Sequence, residues 1–301
     1  MPGIGTHFVF ATLQKDKAPC FVPFYLGAQG PDPFFFRAFW LNPFISRRFK
    51  MAMYGSYLHR IDSTDFFAKM VEFSKGDDEL YSFCLGLLSH YCMDRNIHPY
   101  VYYRTGFDKD GHLKHGHAFD HLYLEALLDR HMLDAYGIEG YSHDFLKCPS
   151  SLLKKISKAY RYADPDNTAR NCYLHSVKTY RLANRLLKSK RGIKRKMWKV
   201  FGKRSMLFAF SVPPDAKEAD AIDVSNLSHH EWKNPDTLEA HHESVEELLK
   251  IAEDDFDKGI VIFDRLRRGE EGAVEELRVY VGGIEHSGTR IGENKKEFNQ
   301  F

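Results

Sequence analysis

The sequence predicts an all-α protein, a helical bundle, and three observations favour this class. Ahead of His90, apolar residues recur at the i, i+3, i+4 spacing of a buried helical face: Leu80, Phe83, Cys84, Leu87, Leu88 and Tyr91. Residues 128–187 and 238–268 also show amphipathic helical patterns. Alternating strand patterns are scarce along the whole chain.

The length and net charge of the chain limit its domain organisation and its classes of partner. The chain has 301 residues and a formal net charge of +2. We expect one domain over residues 1–301, with C-terminal helices in 150–270 and an irregular, frayed tail over 280–301. The nearly balanced charge argues against a global nucleic-acid or membrane field.

The cysteines and the N-terminal residues indicate the cellular compartment in which the protein is expected. Five cysteines, an odd number with irregular spacing and no CxxC pair, indicate reduced thiols. The N-terminus lacks a charged segment followed by a long apolar run, and no apolar stretch reaches transmembrane length. We therefore expect no signal peptide and a cytoplasmic protein.

The first 36 residues contain two polar residues of interest. Residues 1–14 are expected to begin a helix that carries His7, and a lone histidine of this kind is usually a satisfied core residue. Residues 21–36 are rich in Pro and Gly, which predicts a loop. Asp32 lies there between two prolines, where a turn residue or N-cap is the ordinary interpretation.

An aromatic-rich segment follows, with interleaved arginines, and leads to His59. This segment, residues 34–57, is either a lipid or acyl-chain contact or helix core with a basic surface, and we favour the second. Asp62 is expected to cap the next helix, around residues 66–73.

The helix that follows carries three polar residues at a regular spacing. His90, Asp94 and His98 are spaced four apart, which places them on one helical stripe, and Pro99 is expected to end the helix. Residues 101–116 then predict a loop. Two imidazoles and a carboxylate beside an apolar face are costly unless something pairs with them, and a divalent metal is the commonest partner.

A second helix offers a matching set. His121 and Glu125 are spaced four apart among apolar neighbours, so this helix is packed rather than solvated. His117 is an alternative donor to His121, with Asp120 three residues and His121 four residues further on. Two helices with such pairs, close together in the chain, are a stronger signal than one.

At these residues the sequence resembles the bacterial zinc-dependent phospholipase C family, which is distantly related to the single-strand-specific zinc nucleases. The family order is an early His, a Gly-Ala-x-x-Pro-Asp-like segment, a later His, His-x3-Asp, another His, and His-x3-Glu. The matching residues are His7, Asp32, His59, His90, Asp94, His98, His121 and Glu125. The resemblance is close over residues 1–130, where the metal site is expected, and it favours His121 over His117 because His121, Glu125 and Asp129 have the family spacing.

The resemblance implies a multinuclear zinc site between helices. One zinc would take Asp32, His59, His90 and Asp94; a second would take His98, His121 and Glu125 and keep a position for water. A third zinc in secreted relatives is held by an N-terminal Trp, a His and the shared Asp. Here His7 and Asp94 match the side chains and nothing matches the Trp, so a third zinc stays open.

The C-terminal half adds a basic stretch and a last long helix. Residues 128–187 predict helices with breaks at Gly137, Pro149 and Pro165. Residues 185–204 contain many Lys and Arg and no acid, which suits either an anionic surface or a solvated face. Asn234-Pro235 reads as a helix start, with the helix over 238–268.

The function that the resemblance implies is zinc-dependent phosphodiester hydrolysis of the phospholipase C type. A metal-activated hydroxide would attack phosphorus in line, with Asp32 as catalytic orienting group or general base. The partner would be a phospholipid or other phosphodiester, with transient membrane contact through residues 34–50 or 185–204; nucleic acid is less favoured. The alternatives are a nuclease-like phosphodiesterase acting on single strands and a non-catalytic, zinc-stabilised binding protein whose metal shell is closed by side chains.

Overall fold

The structure is a computed structural model that describes residues 3–36, 54–106, 117–138, 146–166, 172–187, 192–200 and 206–291. The helices are α1 Ile4–Leu13, α2 Phe21–Gly27, α3 over 54–60, α4 Ser63–Phe73, α5 Asp78–Gly106, α6 His117–Ala135, α7 Ser150–Ala163, α8 Cys172–Leu187, α9 Ile193–Val200, α10 Met206–Ala209, α11 Lys217–Asp220, α12 Val245–Arg268 and α13 Ala273–Val281. Within the described ranges, the strands are two short ones, β1 Trp232–Lys233 and β2 Ala240–His241, paired antiparallel. The all-α prediction is confirmed.

Helix α5 lies at the centre of the fold. It packs against α2, α4, α6, α7 and α12. Its residues from Leu80 to Asp94 are all buried, so this part of the helix has no solvated face. Aromatic rings fill the space beside it: the Phe83 and Tyr173 ring centroids are 5.5 Å apart and nearly perpendicular. Polar groups on such a helix must find partners inside the protein.

The contact between α2 and α5 depends on two glycines. A Cβ atom added at Gly86 would lie 2.7 Å from both the Ala28 nitrogen and the Gly27 Cα. These neighbours are backbone atoms, which cannot rotate away as a side chain can. The two helices therefore approach at a distance that excludes side chains, four residues before His90.

Replacing Gly86 with Ala is expected to lower the free energy of unfolding by at least about 2 kcal/mol, because overpacking against backbone costs more than the about 1 kcal/mol that Ala gains in helix propensity. Urea unfolding measures the change. The matched control is Gly55→Ala in α3, whose added methyl meets the Phe35 ring, a side chain, at 3.2 Å. A Gly86→Ala protein as stable as the parent would contradict this account of the helix contact.

Several predicted boundaries are wrong, for local reasons. Residues 21–36 were predicted as a loop, yet they contain α2 and a 3₁₀ helix, Asp32–Phe36. Pro23 is compatible with α2 because it lies in the first turn, where its missing N–H is not needed. Pro99 does not end α5, which continues to Gly106, so the predicted loop is wrong for residues 101–106. Residues 107–116 lie outside the described residues.

The last long helix begins at Val245 rather than near Asn234. Ser244 caps it through a capping box with Glu247. Asn234 instead closes the turn between β1 and β2, because its side-chain oxygen accepts from the Asp236 nitrogen at 2.9 Å. An Asx turn and a helix N-cap use the same side-chain chemistry, so the sequence pattern fits both.

Other predictions are confirmed. Asp62 caps α4 by accepting a hydrogen bond from the Thr64 nitrogen. Helices α6, α7 and α8 are separated near Gly137, Pro149 and Pro165, as predicted. Of the aromatic segment, residues 37–53 lie outside the described residues, whereas Phe34 and Phe36 are buried in the core. None of the described helices is both long and apolar enough to cross a membrane.

Candidate metal centre

Asp94 lies at the middle of the candidate site. It is fully buried on α5, one turn from His90 and one turn from His98. Among the described residues, five imidazoles approach its carboxylate. The nitrogen-to-oxygen distances are 3.1 Å for His90, 3.3 Å for His7, 3.6 Å for His286, 3.7 Å for His98 and 3.8 Å for His59. Burial alone would raise the pKa of Asp94, but His90 and His98 outweigh it and hold that pKa well below its usual range.

Three groups of side chains have donor atoms close enough to hold a metal ion. The Asp94 group is His59, His90, Asp94 and His286; the His7 group is His7, Asp32 and His90; the Glu125 group is His98, His121 and Glu125. In each group, the donor atoms lie within 4.8 Å of one another. All eight residues predicted from the sequence belong to these groups. His286 was not predicted.

Backbone carbonyls fix the orientation of three of the imidazoles. The Nδ1 atoms pair with carbonyl oxygens at 2.7 Å for His59 with Gly55, 3.2 Å for His90 with Ala28, and 3.1 Å for His98 with His286. A carbonyl only accepts, so each Nδ1 carries a proton, and in the neutral imidazole each Nε2 presents a lone pair. Those three Nε2 atoms are buried and have no hydrogen-bond partner. This is the orientation that metal-ligating histidines adopt.

The carboxylates of the site also have buried atoms without hydrogen-bond partners. Both Asp94 oxygens and one Asp32 oxygen are buried without a hydrogen-bond donor. Asp32 Oδ1 lies 3.3 Å from His59 Nε2 and 3.9 Å from His90 Nε2. Buried acceptors that face imidazole lone pairs are unfavourable unless a cation lies between them. The residues present therefore fit a divalent metal.

The Glu125 group joins α5 to α6. His121 Nε2 lies 2.8 Å from Glu125 Oε1, and the His98 and His121 rings are stacked with centroids 5.8 Å apart. Burial lowers the pKa of both imidazoles, well below the usual value for His98. Neutral imidazoles are the form that a metal requires. The side chain of His117, the alternative donor, lies outside the described residues.

The His7 group brings α1 to the site. The His7 and His90 rings stack with centroids 4.1 Å apart. Helix α1 is held there by Thr6, whose backbone nitrogen and hydroxyl both donate to Asp129 Oδ1, at 2.7 and 2.8 Å. Asp129, the last residue of the His121 motif, thus anchors α1 to α6; burial raises its pKa to about 6. His7 is not a satisfied core histidine, because neither of its ring nitrogens has a hydrogen-bond partner.

The members of the site differ in their exposure to solvent. The His59 and His121 side chains are 12% and 11% exposed, whereas those of His90 and Asp94 are fully buried. Among the described residues, the centre is therefore fully buried at Asp94 and His90 and slightly exposed at His59 and His121.

His286 is the residue that sequence reasoning missed. It lies in residues 282–291, named here the C-terminal loop, which belongs to the tail predicted to be irregular and frayed. Helix α13 extends into that tail as far as Val281, and residues 282–291 have no helix, yet Glu285, His286 and Thr289 are buried. Burial lowers the pKa of His286 to about 3, so its imidazole is neutral. No periodic pattern surrounds His286, so the local sequence contained no signal for it.

The fold and the site together define an all-α protein that gathers metal-capable histidines and carboxylates between its helices. Comparisons with protein families, with curated proteins and with solved structures found no match. The resemblance to zinc-dependent phospholipases C therefore depends on the motif residues and their order alone.

Proposed function

We propose that this protein is a zinc-dependent phosphodiester hydrolase of the phospholipase C type. The observation that carries the proposal is the convergence of the three groups into one buried site, in which two of the groups share His90. His90 belongs to both the Asp94 group and the His7 group, and Asp94 lies 3.7 Å from His98 of the Glu125 group. Adjacent metal sites of this kind suit the multi-metal centres of phosphatases and nucleases.

The donor set favours zinc. Imidazole combined with carboxylate suits zinc and needs no thiolate. Cys84 and Cys92 lie on α5 near the site but belong to none of the three groups. Burial raises the pKa of each thiol to about 12, so both stay protonated and behave as small core residues.

In the proposed reaction, different residues of the site have different roles. When bound, zinc supplies a Lewis acid and lowers the pKa of water to about 7. Asp32, at the side where His59 is partly exposed, orients the attacking water and accepts its proton. The Nε2 atoms of His59, His90 and His98 hold the metal in fixed directions because their Nδ1 protons are committed to carbonyls. His7 and Asp94, whose Nε2 and Oδ1 atoms lie 3.3 Å apart, would hold a third zinc, which would stabilise the leaving alkoxide.

Metal removal provides the direct test. Purified protein is expected to contain at least two zinc per chain and to hydrolyse a bis-aryl phosphodiester. Chelation should reduce turnover at least about a hundredfold, equivalent to about 2.7 kcal/mol of barrier, and added zinc should restore it. Bound zinc with no turnover on diesters or phospholipids would favour the non-catalytic binding protein. No stoichiometric metal would overturn the proposal.

Helix α9 favours a lipid substrate over a nucleic acid. Arg195 is buried and anchors the inner face of α9, where its guanidinium contacts Glu218 at 2.5 Å and stacks over the Phe208 ring. On the outer face, Ile193, Met197 and Val200 are 58%, 55% and 84% exposed. Their spacing of four and three places them on one stripe, within a basic segment. An apolar stripe among basic residues matches an anionic lipid surface.

We expect the protein to bind vesicles that contain an anionic phospholipid more tightly than vesicles of neutral phosphatidylcholine. Met197→Asp should weaken that binding about tenfold, because it removes apolar burial and adds a repelled charge. Cosedimentation measures the effect. Leu238→Asp, at a 68% exposed leucine outside α9, is the matched control. If the protein instead binds a single-stranded oligonucleotide, and Met197→Asp does not change that binding, the nuclease alternative would be favoured.

A further inference from the structure

The C-terminal loop is a closed structural unit. Its ends are joined by an isolated β-bridge between Ile284 and Arg290 and by a hydrogen bond from the Ile291 nitrogen to the Gly283 oxygen, 2.8 Å. Inside it, the Glu285 nitrogen donates to the Thr289 oxygen at 3.0 Å. The loop is thus a small hairpin that projects His286 from its tip.

The hairpin docks on α3 and α5 through backbone contacts. The His286 nitrogen donates to the His59 oxygen at 3.1 Å, and Tyr91 donates to the Ile284 oxygen at 2.7 Å. Gly288 packs against the carbonyl of Arg95, the acceptor that Pro99 leaves without its usual helical N–H. A Cβ at Gly288 would lie 2.7 Å from Pro99 Cγ, and its φ of +74° also requires glycine.

The docked loop contributes two groups to the metal centre. Its His286 carbonyl accepts from His98 Nδ1 at 3.1 Å and so directs His98 Nε2 toward Glu125. Its His286 imidazole reaches the Asp94 group, where Nδ1 lies 3.6 Å from Asp94 Oδ2 and is buried without a hydrogen-bond partner. A buried imidazole nitrogen with no partner, aimed at a cluster of metal donors, is the geometry of a ligand.

We propose that His286 is a further metal ligand, delivered to the Asp94 group by the C-terminal loop, and that the same loop orients His98. The inference depends on the proposed metal centre and extends it. The loop thereby links the two groups that the resemblance assigns to separate zinc ions. It makes the C-terminal segment part of the centre that residues 1–130 otherwise supply.

Cobalt substitution of the full-length protein tests the ligand role without measuring activity. His286→Gly is expected to lower metal affinity at least tenfold and to change the visible cobalt absorption, which reports coordination number. Added imidazole should restore the spectrum. His175→Ala, at an exposed histidine on α8, is the matched control and should leave both unchanged.

Three outcomes would overturn the inference. An unchanged spectrum and affinity would show that His286 is not a ligand. Lower affinity with an unchanged spectrum and no imidazole rescue would show that it only orients its neighbours. A parent protein that binds no cobalt or zinc would remove the proposed function together with this inference.

A second pair of variants tests delivery by the loop. Gly288→Ala keeps every donor side chain but clashes with Arg95 and Pro99, so it should lower metal affinity at least as much as His286→Gly. Gly283→Ala has a similar positive φ, +68°, but nothing lies within 4 Å of its added Cβ. Equal metal affinity in the two alanine variants would contradict docking of the loop as the cause.

Discussion

Replacement of Asp94 with Asn is expected to release the metal and to reduce phosphodiester hydrolysis to background. Asn keeps the volume of the side chain, but it removes the negative charge that five imidazoles face and exchanges one oxygen for an N–H donor. The Asp94 group and the contact with His7 both lose their carboxylate, so the effect should exceed that of any single histidine. Elemental analysis and turnover of a bis-aryl phosphodiester measure the two losses.

The matched control for this variant is Asp254→Asn. Asp254 is exposed on α12, so the same chemical change there should leave zinc content and turnover at the parent level. Far-UV circular dichroism of both variants separates loss of metal from loss of fold. If the Asp94→Asn protein keeps its zinc and its turnover, the assignment of the centre is wrong.

Replacement of His98 or of His121 with Ala is expected to remove one metal ion and spare the rest. These two imidazoles and Glu125 form the Glu125 group, whose donor atoms come from α5 and α6. The Asp94 and His7 groups keep all their members in either variant. We expect about one zinc fewer per chain and a turnover at least about a hundredfold lower, because each change removes about 2.7 kcal/mol or more of transition-state stabilisation.

The double variant of His98 and His121 tests whether the two residues hold the same ion. If His98 and His121 hold the same ion, the double variant should lose no more zinc than either single variant. His175→Ala, on the exposed side of α8, should change neither quantity. Loss of all zinc from the single variants would show that the groups do not bind independently, and loss of none would show that the Glu125 group is not a metal site.

The sequence by itself determined the helical class and indicated eight candidate metal donors, which the structure brings together. The period of the α-helix requires residues four apart to share a face, so His90, Asp94 and His98 had to point the same way, and so did His121 and Glu125. The resemblance to zinc-dependent phospholipases C added His7, Asp32 and His59. Local helix geometry was enough to predict the His90 and His121 motifs, because each of them spans only a few turns of one helix.

Tertiary structure alone decided how these motifs meet and what else joins them. Gly27 and Gly86 allow α2 to approach α5, Asp129 holds α1 through Thr6, and His286 arrives from a loop without periodicity. Pro99 was compatible with a longer α5, and Asn234 with a turn rather than a helix start. Some of these outcomes depend on contacts between segments that are distant in sequence. The others depend on a choice between two local structures that use the same side-chain chemistry. Neither kind of outcome produces a periodic pattern in the sequence, so the sequence could not predict it.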